Sequence, residues 1–395
     1  MTIRVPGRLQ VEGWSRREAL RLLGFAGLAG GSLVTACGGG TPEPTDQTEP
    51  GSSRDDRANA SVFPDGSIVR TILEDVSPDR LTHGAVLFHE HMSLSVPAFW
   101  DRLMGDAPSE AREERIGSPD APFFMEDVDA MVAELQAASR EGVSALIDGG
   151  HADMGRSVAF LREISEKSAM PIVASGGYYI DQFHPPELES QTEDDIAAAL
   201  ADAATAERWG AFGEIASSAE ITPSERKVLR AVGKAHLATQ LAIFTHTANG
   251  LEAVEQVDIL ESLGVPLDRV AIGHLGSLHD PDVTVHKAVA ARGAFVGFDR
   301  VGYEGGGGQA AQWRGPEADA RKVSMLLALL EAGFLHQVLL ASDFHSARDT
   351  QHNGGPGYAQ TVTRFVPMLR EAGVTEDQIR TMTTDNPLRF IAFTP

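Results

Sequence analysis

Residues 84–91 read Gly-Ala-Val-Leu-Phe-His-Glu-His, a short apolar run that ends in two histidines one residue apart. A run of this length and composition predicts a buried strand, and residues two apart on a strand project from the same face. His89 and His91 are therefore placed to chelate one ion together. Seven further runs of this kind follow, at 144–149, 171–176, 211–215, 241–246, 270–274, 294–299 and 338–343. Helical patterns, with apolar residues three and four apart, separate them, among them 126–141, 155–167, 223–239, 251–263 and 317–333. Pro223 after Thr222 marks an N-cap and a first helical turn. Strands alternating with helices pair in parallel, and eight of them close on themselves. The expected fold is α/β, a (β/α)8 TIM barrel.

Reactive side chains recur where such a barrel gathers them. Glu214 lies in the fourth run, His246 ends the fifth, His274 the sixth and Asp343 the eighth. The C-terminal ends of parallel barrel strands converge on one rim, so these residues face one cavity. Taken singly, each has an ordinary structural explanation. A lone histidine is more often a packed residue than a ligand, Asp343 suits a helix cap, and Glu214 suits a buried pair with a base. Five strand ends that each offer a hard or borderline donor decide for a metal site.

Composition sets the surroundings. The chain has 395 residues, 42% hydrophobic and 23% charged, with a formal net charge of −23. That acidity makes nucleic acid and anionic membrane surfaces poor partners for the folded body. The single cysteine, Cys37, excludes an internal disulfide and a cysteine-based zinc site. It closes a basic segment with Arg16-Arg17 and an apolar run from Leu22 to Ala36, the layout of a secretory signal. That run is too short for a permanent membrane span. The arginine pair resembles a twin-arginine export signal, and Val34-Thr35-Ala36-Cys37 resembles a bacterial lipobox, in which the cysteine is lipidated. Residues 38–60 are rich in Gly, Pro, Ser, Thr and acids, with little to bury. The expected organisation is a lipoprotein signal over 1–37, a flexible linker over 38–65 and one barrel domain over 66–395. It implies a protein exported and lipid-anchored to the cell envelope, touching the membrane only through that anchor.

Over residues 66–395 the chain resembles the phosphotriesterase family of the amidohydrolase superfamily, in particular its phosphotriesterase homology and lactonase members. The resemblance rests on Leu87-Phe-His-Glu-His91, Asp153-Met-Gly-Arg156, Thr245-His-Thr247, Ile272-Gly-His274, Gly297-Phe-Asp299, Ser342-Asp343 and Asn386-Pro-Leu-Arg-Phe390, in that order. It implies that His89, His91 and Asp343 bind a more buried divalent ion and His246 and His274 a more exposed one. The two ions would share a hydroxide and a bridging carboxylate. In the best-known members that bridge is a carboxylated lysine, and Glu214 stands at its position here. The shorter arm weighs against efficient phosphotriester hydrolysis.

The resemblance also implies a mechanism: hydroxide attacks a lactone or other activated ester, and Asp343 takes the proton. His345 either assists proton release or is an ordinary loop residue. Tyr179 matches a lactonase tyrosine near the hydrolytic water, with Tyr178 beside it, and Arg300 in Phe298-Asp-Arg-Val-Gly302 matches an arginine by the substrate entrance. Each has a plain alternative, a packed rim aromatic or a loop salt bridge. Zinc is the default ion, with manganese, cobalt or nickel also suited to the donors. Phosphoester hydrolysis is the rival within enzymes, and a non-catalytic, lipid-anchored metal- or ligand-binding protein is the rival outside them. A homodimer is left open by the resemblance. Gly305–Gly308 reads as a flexible lid or a plain loop and lacks the context of a phosphate-binding loop. Because glutamate needs no carbon dioxide, metal reconstitution of the apoprotein is expected to proceed at the same rate with and without bicarbonate. A clear acceleration in a stopped-flow or activity-recovery assay would overturn the glutamate bridge.

Overall fold

The computed structural model describes residues 63–95, 116–117, 123–303 and 314–395. The expected export signal with Arg16, Arg17 and Cys37, the linker through residue 62, and the Gly305–Gly308 run lie outside these residues. Eight parallel strands form one sheet in sequence order: β1 Ala85–Glu90, β2 Val143–Asp148, β3 Ile172–Gly176, β4 Trp209–Ala216, β5 Ala242–His246, β6 Val270–Ile272, β7 Phe295–Phe298 and β8 Val338–Leu340. Helices α1 Val128–Arg140, α2 Val158–Ser168, α3 Glu193–Glu207, α4 Pro223–Thr239, α5 Ala253–Ser262, α6 Thr284–Ala290 and α7 Pro316–Glu331 connect consecutive strands from β1 through to β8. The expected (β/α)8 architecture is what the chain adopts.

Local chemistry explains the elements. Every residue of the eight strands is buried except His246, so the apolar runs are continuous and not alternating, as both faces of a barrel strand require. Helix α4 starts at a capping box in which Thr222 accepts from the Glu225 amide and Glu225 returns a bond to Thr222, with Pro223 in the first turn. Phe88 of β1 and Phe244 of β5 meet edge to face with centroids 6.5 Å apart. Those strands lie on opposite sides of the ring, so this contact passes through the barrel interior. A small antiparallel hairpin, Val69–Arg70 with Asp75–Val76, lies by the N-terminal end of the barrel, where the Ile72 amide bonds the Ile172 carbonyl at 2.7 Å.

Two strands end two or more residues earlier than the sequence pattern suggests. Strand β6 stops at Ile272 and β8 at Leu340, short of the expected His274 and Asp343. Both residues have left-handed backbone, φ 61° at His274 and 51° at Asp343, which cannot continue a ladder. Apolar patterning is blind to such a turn.

The ring shuts between β1 and the segment after β8. The Asp343 amide bonds the His89 carbonyl at 3.0 Å, and the His91 amide bonds the Phe344 carbonyl at 3.2 Å. Between them, the buried Glu90 carboxylate accepts from the Ser342 amide at 2.7 Å and the Phe344 amide at 2.9 Å. Glu90→Ala strands two buried amides, each costing about 1–3 kcal/mol. Thermal or denaturant unfolding of that variant is expected to show a loss of roughly 2–6 kcal/mol; wild-type stability would remove Glu90 from the seam.

Candidate metal centre

The floor of the cavity is set by a close approach. A Cβ at Gly149, just past β2, would lie 2.9 Å from His91 Cε1 and 3.3 Å from His89 Cδ2, so only glycine lets the two rings sit side by side. Above them Glu214 projects from β4 into a ring of histidines. Its Oε1 lies 3.3 Å from His91 Nε2, and its Oε2 lies 3.3 Å from His89 Nε2, 3.0 Å from His246 Nδ1 and 3.5 Å from His274 Nε2. Asp343 Oδ1 completes one side, 3.1 Å from His91 Nε2 and 3.9 Å from His89 Nε2. The donors fall into two groups that share Glu214. One is His89, His91, Glu214 and Asp343, the other Glu214, His246 and His274, with donor atoms within 4.8 Å of one another in each.

A carboxylate behind the site orients this set. Asp299, just past β7 and fully buried, accepts from His89 Nδ1 at 2.8 Å and His274 Nδ1 at 3.0 Å, and from the His274 amide at 2.8 Å. Hydrogen-bonding Nδ1 to a carboxylate turns Nε2 of both rings toward Glu214, and His274 Nε2 also lies 2.9 Å from His246 Nδ1. Asp148 pins the backbone beyond His91, accepting from the Met92 amide at 2.7 Å and the Ser93 amide at 3.3 Å.

Electrostatics show what the cluster lacks. Burial opposes charge on His89, yet Glu214 and Asp299 hold that imidazole well above its usual range. Burial opposes charge on His91 too, and Asp343 and Glu214 still push it to about 9. Burial and the neighbouring His274 take His246 down to about 4. Desolvation favours neutral acids at Glu214 and Asp343, but the histidines around Glu214, and His345, His91 and Arg300 around Asp343, keep both well below the carboxylate range. Anionic carboxylates in a buried pocket call for cations. The imidazole nitrogens that face them, once deprotonated, would hold such a cation. His89 Nε2 is buried and lacks a hydrogen-bond partner, an orphan that a cation between His89 and Glu214 would satisfy. Imidazole and carboxylate donors suit zinc, manganese, cobalt or nickel, so the residues present fit divalent ions.

The phosphotriesterase family profile matches residues 68–391, almost the whole barrel. The chain belongs to the phosphotriesterase family. It is 28% identical over 314 residues to the phosphotriesterase homology protein of Escherichia coli, covering 78% of this chain and 97% of that one. The solved structure of that relative, which holds phosphate in its active site, superposes with a TM-score of 0.66 over 78% of this chain and 99% of its own. N-acetyltaurine hydrolase of Danio rerio is 25% identical over 345 residues, covering 82% of this chain and 98% of its own. A lactonase from Listeria monocytogenes shares 26% identity and a TM-score of 0.69, over 83% of this chain and all of that one.

Within this family member, the six expected donors meet in one place. The Tyr179 hydroxyl lies 3.3 Å from His246 Nδ1, at the edge of the site. Tyr178 faces elsewhere, its ring edge-on to His184 at 6.0 Å, so only one tyrosine of the pair borders the donors. Arg300 spans the rim: its Nε lies 2.9 Å from Asp343 Oδ2 and its Nη1 bonds the exposed Asn249 Oδ1 at 2.9 Å. His345, half-buried, is 3.4 Å from Asp343 Oδ1. Asp299 has no role in the sequence-based expectation, although an acid that ends the seventh apolar run is a signal for one. Asn249, an exposed loop residue, carried none. Asp299→Ala is expected to lower metal affinity about 10- to 100-fold, the scale of losing such a partner. Chelator-competition titrations measure it, and unchanged affinity would show that Asp299 does not orient the two histidines.

Proposed function

We propose that the protein is a metal-dependent hydrolase that attacks lactones or other activated carboxyl esters. The observation that carries this reading is the pair of donor groups sharing Glu214, with a carboxylate, a tyrosine and an arginine on one rim above them. His89, His91, Glu214 and Asp343 would hold one divalent ion, and Glu214, His246 and His274 a second, zinc being the best match to a histidine-rich set. Divalent ions held by these residues would supply Lewis-acid chemistry, bringing the pKa of water to about 7 and polarising a substrate carbonyl.

The side chains of the rim do the rest. Asp343, held ionised in spite of burial, accepts the proton released as water adds to the carbonyl carbon. Arg300 grips its Oδ2, which fixes the carboxylate and leaves Oδ1 turned toward His91. The Tyr179 hydroxyl, beside His246, donates to the carbonyl oxygen as negative charge gathers there. Glu214 and Asp343 are themselves buried, which strengthens the contacts they make.

Two relatives support carbonyl chemistry, since lactones and N-acetyltaurine both carry a carbonyl carbon as the point of attack. Phosphoester hydrolysis is the second reading, favoured by the phosphate in the active site of the Escherichia coli relative. We further propose export, with residues 1–37 as a lipoprotein signal, Cys37 as the lipidated residue and a flexible tether joining the anchor to the enzyme. Globomycin-sensitive processing and palmitate labelling lost in Cys37→Ala are the expected signatures.

The deciding experiment pairs metal analysis with turnover of lactones, aryl esters, N-acetyl amides and aryl phosphotriesters. Two ions per chain with lactone or ester turnover is expected. Glu214→Gln is expected to lose about 100-fold or more in kcat, at least the scale seen when even an outer partner of a ligand is removed. Bound metal without turnover, or near-normal rates in Glu214→Gln, would defeat the reading; phosphotriester turnover above all others would install the second.

A further inference from the structure

The loop that carries Arg300 is held by charges buried in the neighbouring helix. Lys322 of α7 is 1% exposed and pairs with Asp319, one turn earlier, at 3.0 Å between Nζ and Oδ1. Its ammonium also donates to the Arg300 carbonyl. Asp319, 2% exposed, uses its second oxygen to accept from the Gly302 amide at 2.9 Å. Both members of the pair thus grip the backbone of residues 300–302. The far side of that turn is confined as well. Gly302 has φ +84°, and a Cβ there would lie 2.5 Å from the Gln360 carbonyl oxygen.

A buried ion pair is seldom more stabilising than well-packed aliphatic residues of equal volume, because desolvation takes back most of the attraction. A helix that needed only to pack could therefore carry two apolar residues here. What the charges add is direction. They bind a carbonyl and an amide two residues apart, and so fix the backbone from which the Arg300 side chain departs. That side chain places Nε 2.9 Å from Asp343 Oδ2.

We propose that Lys322 and Asp319 are positioning residues that set the Arg300 guanidinium against Asp343 and the reacting ester. The proposal rests on the hydrolase reading of this site. These bonds act on the backbone of the loop, so removal of the pair should resemble removal of Arg300.

The test compares three proteins with wild type, each loaded with zinc: Lys322→Met/Asp319→Leu, Arg300→Ala, and the combination. Replacing both charges at once avoids leaving one buried and unpaired. Metal content, melting temperature, and kcat and KM for δ-valerolactone and 4-nitrophenyl acetate are measured. The clamp variant is expected to hold both ions and lose about 10- to 100-fold in kcat/KM, the cost of misplacing a group at the site from a distance. Adding Arg300→Ala should produce no further loss, because the two changes remove the same contact. Wild-type kcat/KM in the folded clamp variant overturns the proposal, as do losses that multiply with that of Arg300→Ala. If the clamp variant does not fold, Asp319→Asn takes its place, keeping the volume and an acceptor for the Gly302 amide. It should show a smaller loss that vanishes in the Arg300→Ala background, and unchanged kinetics would overturn the proposal equally. Wild-type protein that holds its ions but turns over neither probe sinks the hydrolase reading and the clamp with it, an outcome distinct from failure of the clamp alone.

Discussion

Glu214 sits where water barely reaches it, and four imidazole nitrogens stand within 3.5 Å of its two oxygens. A carboxylate in that position keeps its charge only if positive partners surround it. The rest of the cavity follows from this need. Asp299 turns the His89 and His274 rings so that their Nε2 atoms face inward, Gly149 makes room for His89 and His91 to lie together, and Asp343 adds a second acid that Arg300 and His345 keep ionised. The same side chains are the ones that would serve as ligands to divalent ions.

The barrel supplies what no local stretch could. The donors come from β1, β4, β5 and the turns after β6 and β8, elements that meet only because eight strands tilt around a common axis. The helices set no ligand directly, but α7 reaches the site through its buried charges and the loop above them. Stability and chemistry are therefore not separate compartments of this fold. Residues that look like scaffolding, such as Glu90 and Asp148, hold the backbone to which ligands are attached.

Much of this was legible in the order of residues. Continuous apolar runs marked all eight strands, because a strand buried on both faces has no polar side to interrupt it. Histidines and acids at the ends of those runs marked the six donors, because a parallel barrel brings its strand ends together. Left-handed turns at His274 and Asp343 were not legible, since neither residue type announces positive φ and the apolar pattern ran straight through them. Nor was the direction of Tyr178, which differs from Tyr179 by one position and so faces the other way. The partnership of Lys322 with the Arg300 carbonyl joins positions 22 apart through a main-chain atom, and side-chain identity carries no trace of that.

The junction between β1 and the residues after β8 has a consequence for how this molecule is held shut. His89 and His91 lie on one lip of that junction and Asp343 on the other, so an ion held by all three would act as a rivet through the overlap. The first and last strands are the only neighbours not joined by a connecting helix, and a ring is weakest where its ends meet. Occupancy would thus fasten the two termini of the barrel to each other, and the cavity would open and empty as one event.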